Sequence, residues 1–167
     1  FGGFRVNKEN FGRKQFNHIN RGNVNVDWSG YKFLSGGFFV EAGKFINRNG
    51  TESDVYNPFI IAKGLNYETY ISFRPTGHTR NDVTFISFQL WQHFNGPRIR
   101  GQKIIRNTFS YHFNKRLFFR LIGQYSASEK FYTGTDQNGQ VLYDANGKAV
   151  KVRQAAKSFS VDPLISY

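Results

Sequence analysis

Apolar and polar residues alternate one for one along much of this chain. From Leu65 to Arg74, Leu65, Tyr67, Thr69, Ile71 and Phe73 are interleaved with Asn66, Glu68, Tyr70, Ser72 and Arg74. Period two is the repeat of a β-strand, whose successive side chains point to opposite faces. The pattern recurs: Val24, Val26 and Trp28 stand against Asn23, Asn25, Asp27 and Ser29, and Phe38, Val40 and Ala42 against Phe39, Glu41 and Gly43. Ile86, Phe88 and Leu90 oppose Ser87, Gln89 and Trp91, while Ile105, Phe109, Tyr111 and Phe113 oppose Arg106, Thr108, Ser110 and His112. Leu117, Phe119, Leu121 and Tyr125 oppose Phe118, Arg120, Ile122 and Gln124. Finally, Phe159, Val161, Ile165 and Tyr167 oppose Ser160, Asp162 and Ser166. The pattern predicts about seven strands of ~9–11 residues, the length of a membrane-spanning strand. Gly, Asn and β-branched residues recur too often for a long helix. Residues 1–21 are ambiguous. Phe1–Val6 reads as the end of an earlier strand and Asn7–Arg21 as a polar loop; eight strands result if the first residues form one.

The connections alternate short and long: 35–37, 47–64, 76–81, 95–102, 114–116 and 127–157. Outer-membrane barrels have short periplasmic turns and longer external loops. Residues paired across a hairpin share a face. Pairing Leu34 with Phe38 therefore predicts a three-residue turn, Ser35–Gly37, with Gly37 left-handed. Pairing Phe113 with Leu117 predicts a turn at Asn114–Arg116, which sets Arg120 opposite Ser110 and Arg106 opposite Gln124. The expected fold is all-β: one domain over 1–167, an antiparallel up-and-down transmembrane β-barrel, present in part. The alternative is a soluble antiparallel β-sandwich or barrel that binds carbohydrate or lipid through its aromatics, because alternation by itself fits either.

Composition favours the membrane. Aromatics make up 18% of the chain, yet mean hydropathy is −0.54. Apolar residues diluted by polar ones describe a wall with one oily and one wet face. No apolar run approaches the roughly 18 residues of a membrane helix. The net charge is +12, and many cations fall between the expected strands: Arg13, Lys14, Arg98, Arg100, Lys103, Lys148, Lys151, Arg153 and Lys157. No nucleic-acid motif accompanies them; outer-membrane lipid and lipopolysaccharide phosphates are the expected partners. The absence of cysteine excludes disulfides and thiolate metal sites. A chain beginning at Phe1 is expected to be processed or a fragment.

The polar face supplies the candidate lumen-facing residues: Asp27, Glu41, Glu68, Arg74, Gln89, Arg106, Arg120 and Gln124. Such a set either imposes a field across a pore or fills a closed barrel with ion pairs. Catalysis is not expected. Ser110 and His112 share a face, but their Cβ atoms would stand roughly 6.5–7 Å apart, and no third member of a triad is evident. His18, His78, His93 and His112 share no metal-ligand spacing, and no cofactor is expected. Asp136-Gln-Asn-Gly139 and Asp144-Ala-Asn-Gly147 lack the closing acid of a calcium loop and read as hairpin turns. Asn49-Gly-Thr51 matches a glycosylation acceptor but reads as an exposed turn.

The stretch Arg106-Asn-Thr-Phe-Ser-Tyr-His-Phe-Asn-Lys-Arg-Leu-Phe-Phe-Arg-Leu-Ile-Gly-Gln-Tyr125, then Ser158-Phe-Ser-Val-Asp-Pro-Leu-Ile-Ser-Tyr167 after an insert, resembles a known family. It is similar to the C-terminal barrel of outer-membrane proteins that carry a family 9-like carbohydrate-binding module ahead of an uncharacterised barrel domain. The resemblance covers the last third of the chain. The insert Thr133–Lys157 departs from the shorter loop of that family, whose sugar-binding module would be expected ahead of residue 1. It implies a place in the cell outer membrane and glycans as further partners, with no site residues to carry over. The expected function is a barrel segment serving as pore, membrane anchor or base of a surface glycan-handling protein.

Overall fold

The computed structural model describes the backbone of residues 2–11 and 14–166 and the side chains of 2–6 and 15–166. Tyr167, Arg13 and the Lys14 side chain therefore lie outside the described residues. The chain forms eight strands: β1 (Gly2–Phe11), β2 (Lys14–Tyr31), β3 (Leu34–Ile46), β4 (Ile61–Phe73), β5 (Thr79–Trp91), β6 (Arg98–His112), β7 (Phe118–Thr133) and β8 (Lys151–Ser166). They build one sheet in sequence order, β1 to β8, each pair antiparallel. No helix occurs among the described residues. Of the ambiguous first 21 residues, 2–11 are β1 and 14–21 the start of β2, so the described residues form eight strands where the pattern predicts about seven.

The short turns sit at one rim, at Lys32–Phe33, 74–78 and 113–117, and the longer connections 47–60, 92–97 and 134–150 at the other. From β2 onward the expected alternation holds, by one residue at 74–78 against 92–97; the β1–β2 connection shares the long rim yet is two residues long, since Phe11 pairs with Lys14, and every long connection is shorter than expected because the strands run on. Residues 61–64, 98–102, 127–133 and 151–157 are all strand. Two Asx turns close hairpins within 134–150: Asp136 Oδ1 accepts from the Asn138 and Gln140 amides, and Asp144 Oδ1 accepts from Asn146 and Lys148. Gly139 and Gly147 take the left-handed positions, φ 78° and 71°.

The Asn114 turn forms as turn parity predicts. The Phe113 amide donates to the Leu117 carbonyl at 3.0 Å, and Asn114 Oδ1 accepts from the Arg116 and Leu117 amides. Arg106 then pairs with Gln124 and Ser110 with Arg120. The expected turn at Ser35–Gly37 does not form. Tyr31 pairs with Leu34 across Lys32–Phe33, and Ser35, Gly36 and Gly37 belong to β3. Close packing explains these glycines. A Cβ on Gly36 would stand 2.9 Å from the Trp28 ring, and one on Gly37 2.5 Å from Asp27 Oδ1 and 2.8 Å from the Tyr70 ring. The pair makes room for neighbours and does not turn the chain.

Candidate functional site

Cross-strand partners share a face, so the register sorts every strand residue onto one of two surfaces. One row runs Val26, Phe38, Thr69, Phe85, Ile105, Tyr125, Phe159 across seven strands, and the next runs Trp28, Gly36, Ile71, Val83, Asn107, Gly123, Val161. This is the apolar face. Of the large apolar side chains that the described strands leave exposed, all but Tyr70 and Leu164 lie on it. Phe4, Phe159 and Ile165 are each more than two-thirds exposed. A half-buried polar pair on it is joined internally, Asn107 Nδ2 donating to Asn81 Oδ1 at 2.8 Å.

The opposite face is polar. Asp27, Glu41, Glu68, Arg106, Arg120 and Gln124 all lie there. Asp27 accepts from the Tyr70 hydroxyl at 2.7 Å, and Arg106 donates to Gln124 Oε1 through Nε at 2.8 Å and through Nη2 at 2.6 Å. Two candidates depart from the expectation. Arg74 lies in the turn after β4, where its amide donates to the Phe33 carbonyl at 2.7 Å. Gln89 pairs with Leu65 and so lies on the apolar face, while Ile86, Phe88 and Leu90 lie on the polar one. The reason is that β5 is apolar on one face along its first half, at Val83 and Phe85, and on the other along its second. Its second half faces a core at the long-loop end.

That core is the most built part of the molecule. Ala62, Leu90 and Ile99 are fully buried, with Phe45, Ile60 and Phe88 packed on them. A bulge between Leu90 and Trp91 and their partners turns Ile99 inward beside Arg100. An arginine–aromatic layer crosses the polar face here. Arg21 lies 4.3 Å from the Phe45 ring centroid, Phe45 meets Phe88 edge-on at 5.5 Å, and Arg100 lies 5.1 Å from Phe88. Gly64 gives the Phe45 ring its place, since a Cβ there would stand 2.5 Å from it.

The connection 47–60 closes over this layer and reaches the far strands. Asp54 Oδ1 accepts from the Thr133 hydroxyl at 2.7 Å, the Thr133 amide at 2.9 Å, and the Tyr56 and Asn57 amides at 3.0 Å each. Burial raises the Asp54 pKa, but these four donors outweigh it and hold the group below its ordinary value of 3.8. The Tyr56 hydroxyl donates to the Ala149 carbonyl, Asn47 Nδ2 donates to Asn57 Oδ1, and Phe59 meets Phe16 edge-on at 5.3 Å. One segment thus joins β2, β7 and the 134–150 connection. A cavity of about 370 Å³ remains between Asn49 and Asn57 of this segment and Arg100, Gln102, Lys130 and Gln154 of the sheet. Phe88, Glu129, Ala155 and Ala156 also line it, so apolar, acidic and cationic groups share the cavity.

Alternation gives no sign of this end, because its parts come from all of β2 to β8 and two connections. Parity across the 74–80 stretch was the signal available for β5: Phe73 pairs with Asn81, so Phe85 and not Phe88 faces the same way as Phe73. Among the described residues no group of three His, Asp or Glu side chains is placed to hold a metal ion. Among the described residues no helix is long and apolar enough to cross a membrane, which says nothing of crossing by strands. No protein-family model matches the chain, and no curated protein or solved structure is significantly similar to it.

Proposed function

We propose that this chain is a membrane-spanning wall of a bacterial outer-membrane β-barrel, whole or in part, working as an anchor and base. The carrying observation is the one-sided exposure of its large apolar side chains, row upon row across the sheet. In water such a surface is a liability; against acyl chains it is the surface a spanning strand requires. Antiparallel pairing meets the second demand of lipid for the backbone groups between strands, and closure or further strands would have to pair the outer edges of β1 and β8. The 47–60 segment, tied to Thr133 and lying on the arginine–aromatic layer, favours an anchor over an open pore. The resemblance of the last third to barrels that follow a carbohydrate-binding module fits a base beneath a glycan-binding part, with lipopolysaccharide as neighbour.

The chain has no cysteine, which permits a direct test. Single cysteines at Val83, Thr84, Phe85 and Ile86 would carry an environment-sensitive fluorophore after reconstitution in lipid vesicles. Val83 and Phe85 should report an acyl-chain environment that a lipid-borne quencher reaches, and Thr84 and Ile86 should not. A signal independent of position, or protein that stays in the aqueous fraction as a stable monomer, would favour a soluble sheet with some other cover for its apolar face.

A further inference from the structure

We propose that the apolar face holds a phosphate-bearing lipid beside Trp91, its phosphate on Lys44 and Lys63 and an acyl chain in the adjoining groove. The proposal rests on the membrane-spanning reading and adds a ligand class and a site to it.

Charge on this face is confined to one end. Lys44, Lys63, Arg98, Lys103, Arg153 and Lys157 all lie at or beyond the Lys103–Ala127–Lys157 row, toward the long connections. Between that row and the short turns, the described strands place no charged side chain on the apolar face. The face also carries one acid among the described strand residues, Glu129, which already pairs with Arg98 and with Arg153. Lys44, Lys63, Lys103 and Lys157 have no acidic partner among the described residues. Lys44 and Lys63 are directly opposite each other, an arrangement in which like charges repel. An external anion reverses the sign of that interaction.

A groove of about 350 Å³ adjoins this pair, lined by Ala42, Leu65, Trp91 and Phe94. The Lys63 ammonium stands 5.1 Å from the Phe94 ring centroid, at the border between the groove and the charged end. Ala42 and Leu65 of the groove lie one row from Lys44 and Lys63 and Trp91 lies in their row, so two cations stand beside an apolar trough; that is the two-part chemistry of an anionic lipid, chain in the trough and phosphate on the ammoniums. Lysine suits this border because its stem lies along apolar surface while its head stays at the headgroup level.

The chain has two tryptophans, both on this face. Trp91 sits in the Lys44–Lys63 row, and Trp28 sits opposite Gly36, toward the short turns. The full chain, reconstituted in vesicles as Trp28→Phe or Trp91→Phe, reports each position separately through quenching by brominated lipid. In the Trp28→Phe protein, brominated phosphatidic acid should quench Trp91 at a mole fraction at least about fivefold lower than brominated phosphatidylcholine, the factor expected from a single cation near a lipid phosphate. Trp28, read in the Trp91→Phe protein, should show no such preference. Lys44→Gln with Lys63→Gln should remove the preference, and Lys44→Arg with Lys63→Arg should keep it. Raising the salt concentration on the Trp28→Phe protein alone should weaken it, with no charge-removing variant required. Equal quenching of Trp91 by the two lipids, an equal preference at Trp28, or a preference that survives the glutamine pair would overturn the proposal. Loss of the preference on adding inorganic phosphate, at a salt concentration that has no such effect, would assign the lysines to a free anion and overturn the lipid. If neither lipid quenched either tryptophan, the membrane reading itself would fail.

Discussion

Gly37 and Asp54 show how much of this structure turns on single atoms. A methyl at Gly37 would meet Asp27 Oδ1 at 2.5 Å and the Val26 carbonyl oxygen at 2.7 Å. The carbonyl belongs to the paired backbone and has little room to yield. Gly37→Ala should therefore cost about 1–3 kcal/mol, the range for overpacking. Gly123 has nothing within 4 Å of the position of its Cβ, so Gly123→Ala should change stability by no more than about 0.5 kcal/mol. Chemical unfolding of the two variants in detergent compares them directly. Asp54 gathers four donors on one oxygen, and its folded pKa is depressed. A depressed carboxylate contributes stability that is complete above the unfolded pKa and is lost as pH falls through the folded value. Amide protection at Asn57 and Thr133, corrected for intrinsic exchange, should thus be unchanged well above pH 3.8 and collapse in acid below it. Asp54→Asn should lower that protection at neutral pH by about 1–3 kcal/mol, the cost of removing an ionised acceptor. Protection that ignored both changes would mean that the 47–60 segment is held by its apolar contacts, such as Phe59 on Phe16.

Strand β5 carries two apolar phases in one element, and that makes it the best place to test the faces. Phe85 stands on the apolar face, 5.2 Å from the Tyr67 ring, while Phe88 joins the arginine–aromatic layer on the other. Under the membrane reading, Phe85→Arg places a cation against acyl chains and should cost ~2–4 kcal/mol near the midplane. Phe88→Arg adds a third guanidinium between Arg21 and Arg100 and removes the ring that both Phe45 and Arg100 contact. It should leave insertion intact and loosen the 47–60 segment. The folded fraction in lipid reports the first effect, and proteolysis within 47–60 reports the second. The reverse outcome, with Phe88→Arg blocking insertion and Phe85→Arg tolerated, would mean that the lipid lies on the opposite face.

From β2 to β8, the charge on the apolar face and loop length agree on a direction. The connections 47–60 and 134–150 and the cationic end of the apolar face share one rim; the turns at Lys32–Phe33 and 113–117 mark the other. Long connections face the cell exterior in outer-membrane barrels. Strand β8 begins at Lys151, which takes Lys151, Arg153 and Lys157 into paired backbone and leaves Lys148 exposed in its Asx turn. Trypsin added to intact cells displaying the protein should cut at Lys148 and spare Lys115 and Arg116. Cleavage at the short turns, with Lys148 protected until the outer membrane is permeabilised, would invert the orientation. The sheet order leaves β1 and β8 at its two ends, and Pro163 in β8 removes one ladder donor, which an edge strand tolerates.

The alternation of Leu65–Phe73 and its counterparts was enough to fix strand type and the two faces of most strands, because side-chain direction has a period of two that no helix shares. Asn114 and the two Asx-Gly turns were equally legible, since each is closed by a side chain within four residues of the amides that it satisfies. From the Asn114 turn the pairing of Arg106 with Gln124 followed by counting. The phase of β5 did not follow, because a strand apolar on both faces offers two equally good alternations, and the paired neighbour β4 selects between them. Ser35–Gly37 looked like a turn for a related reason. Glycine permits a turn but is also required where Trp28, Asp27 and Tyr70 crowd the backbone, and those neighbours are separated in sequence. The capped end and the groove beside Trp91 lie furthest from local reading. Asp54 meets Thr133 across 79 positions, and Lys44, Lys63 and Trp91 become one row through pairing across three strands. Local pattern encodes direction relative to the sheet, whereas position along and across it exists after the strands have found their register.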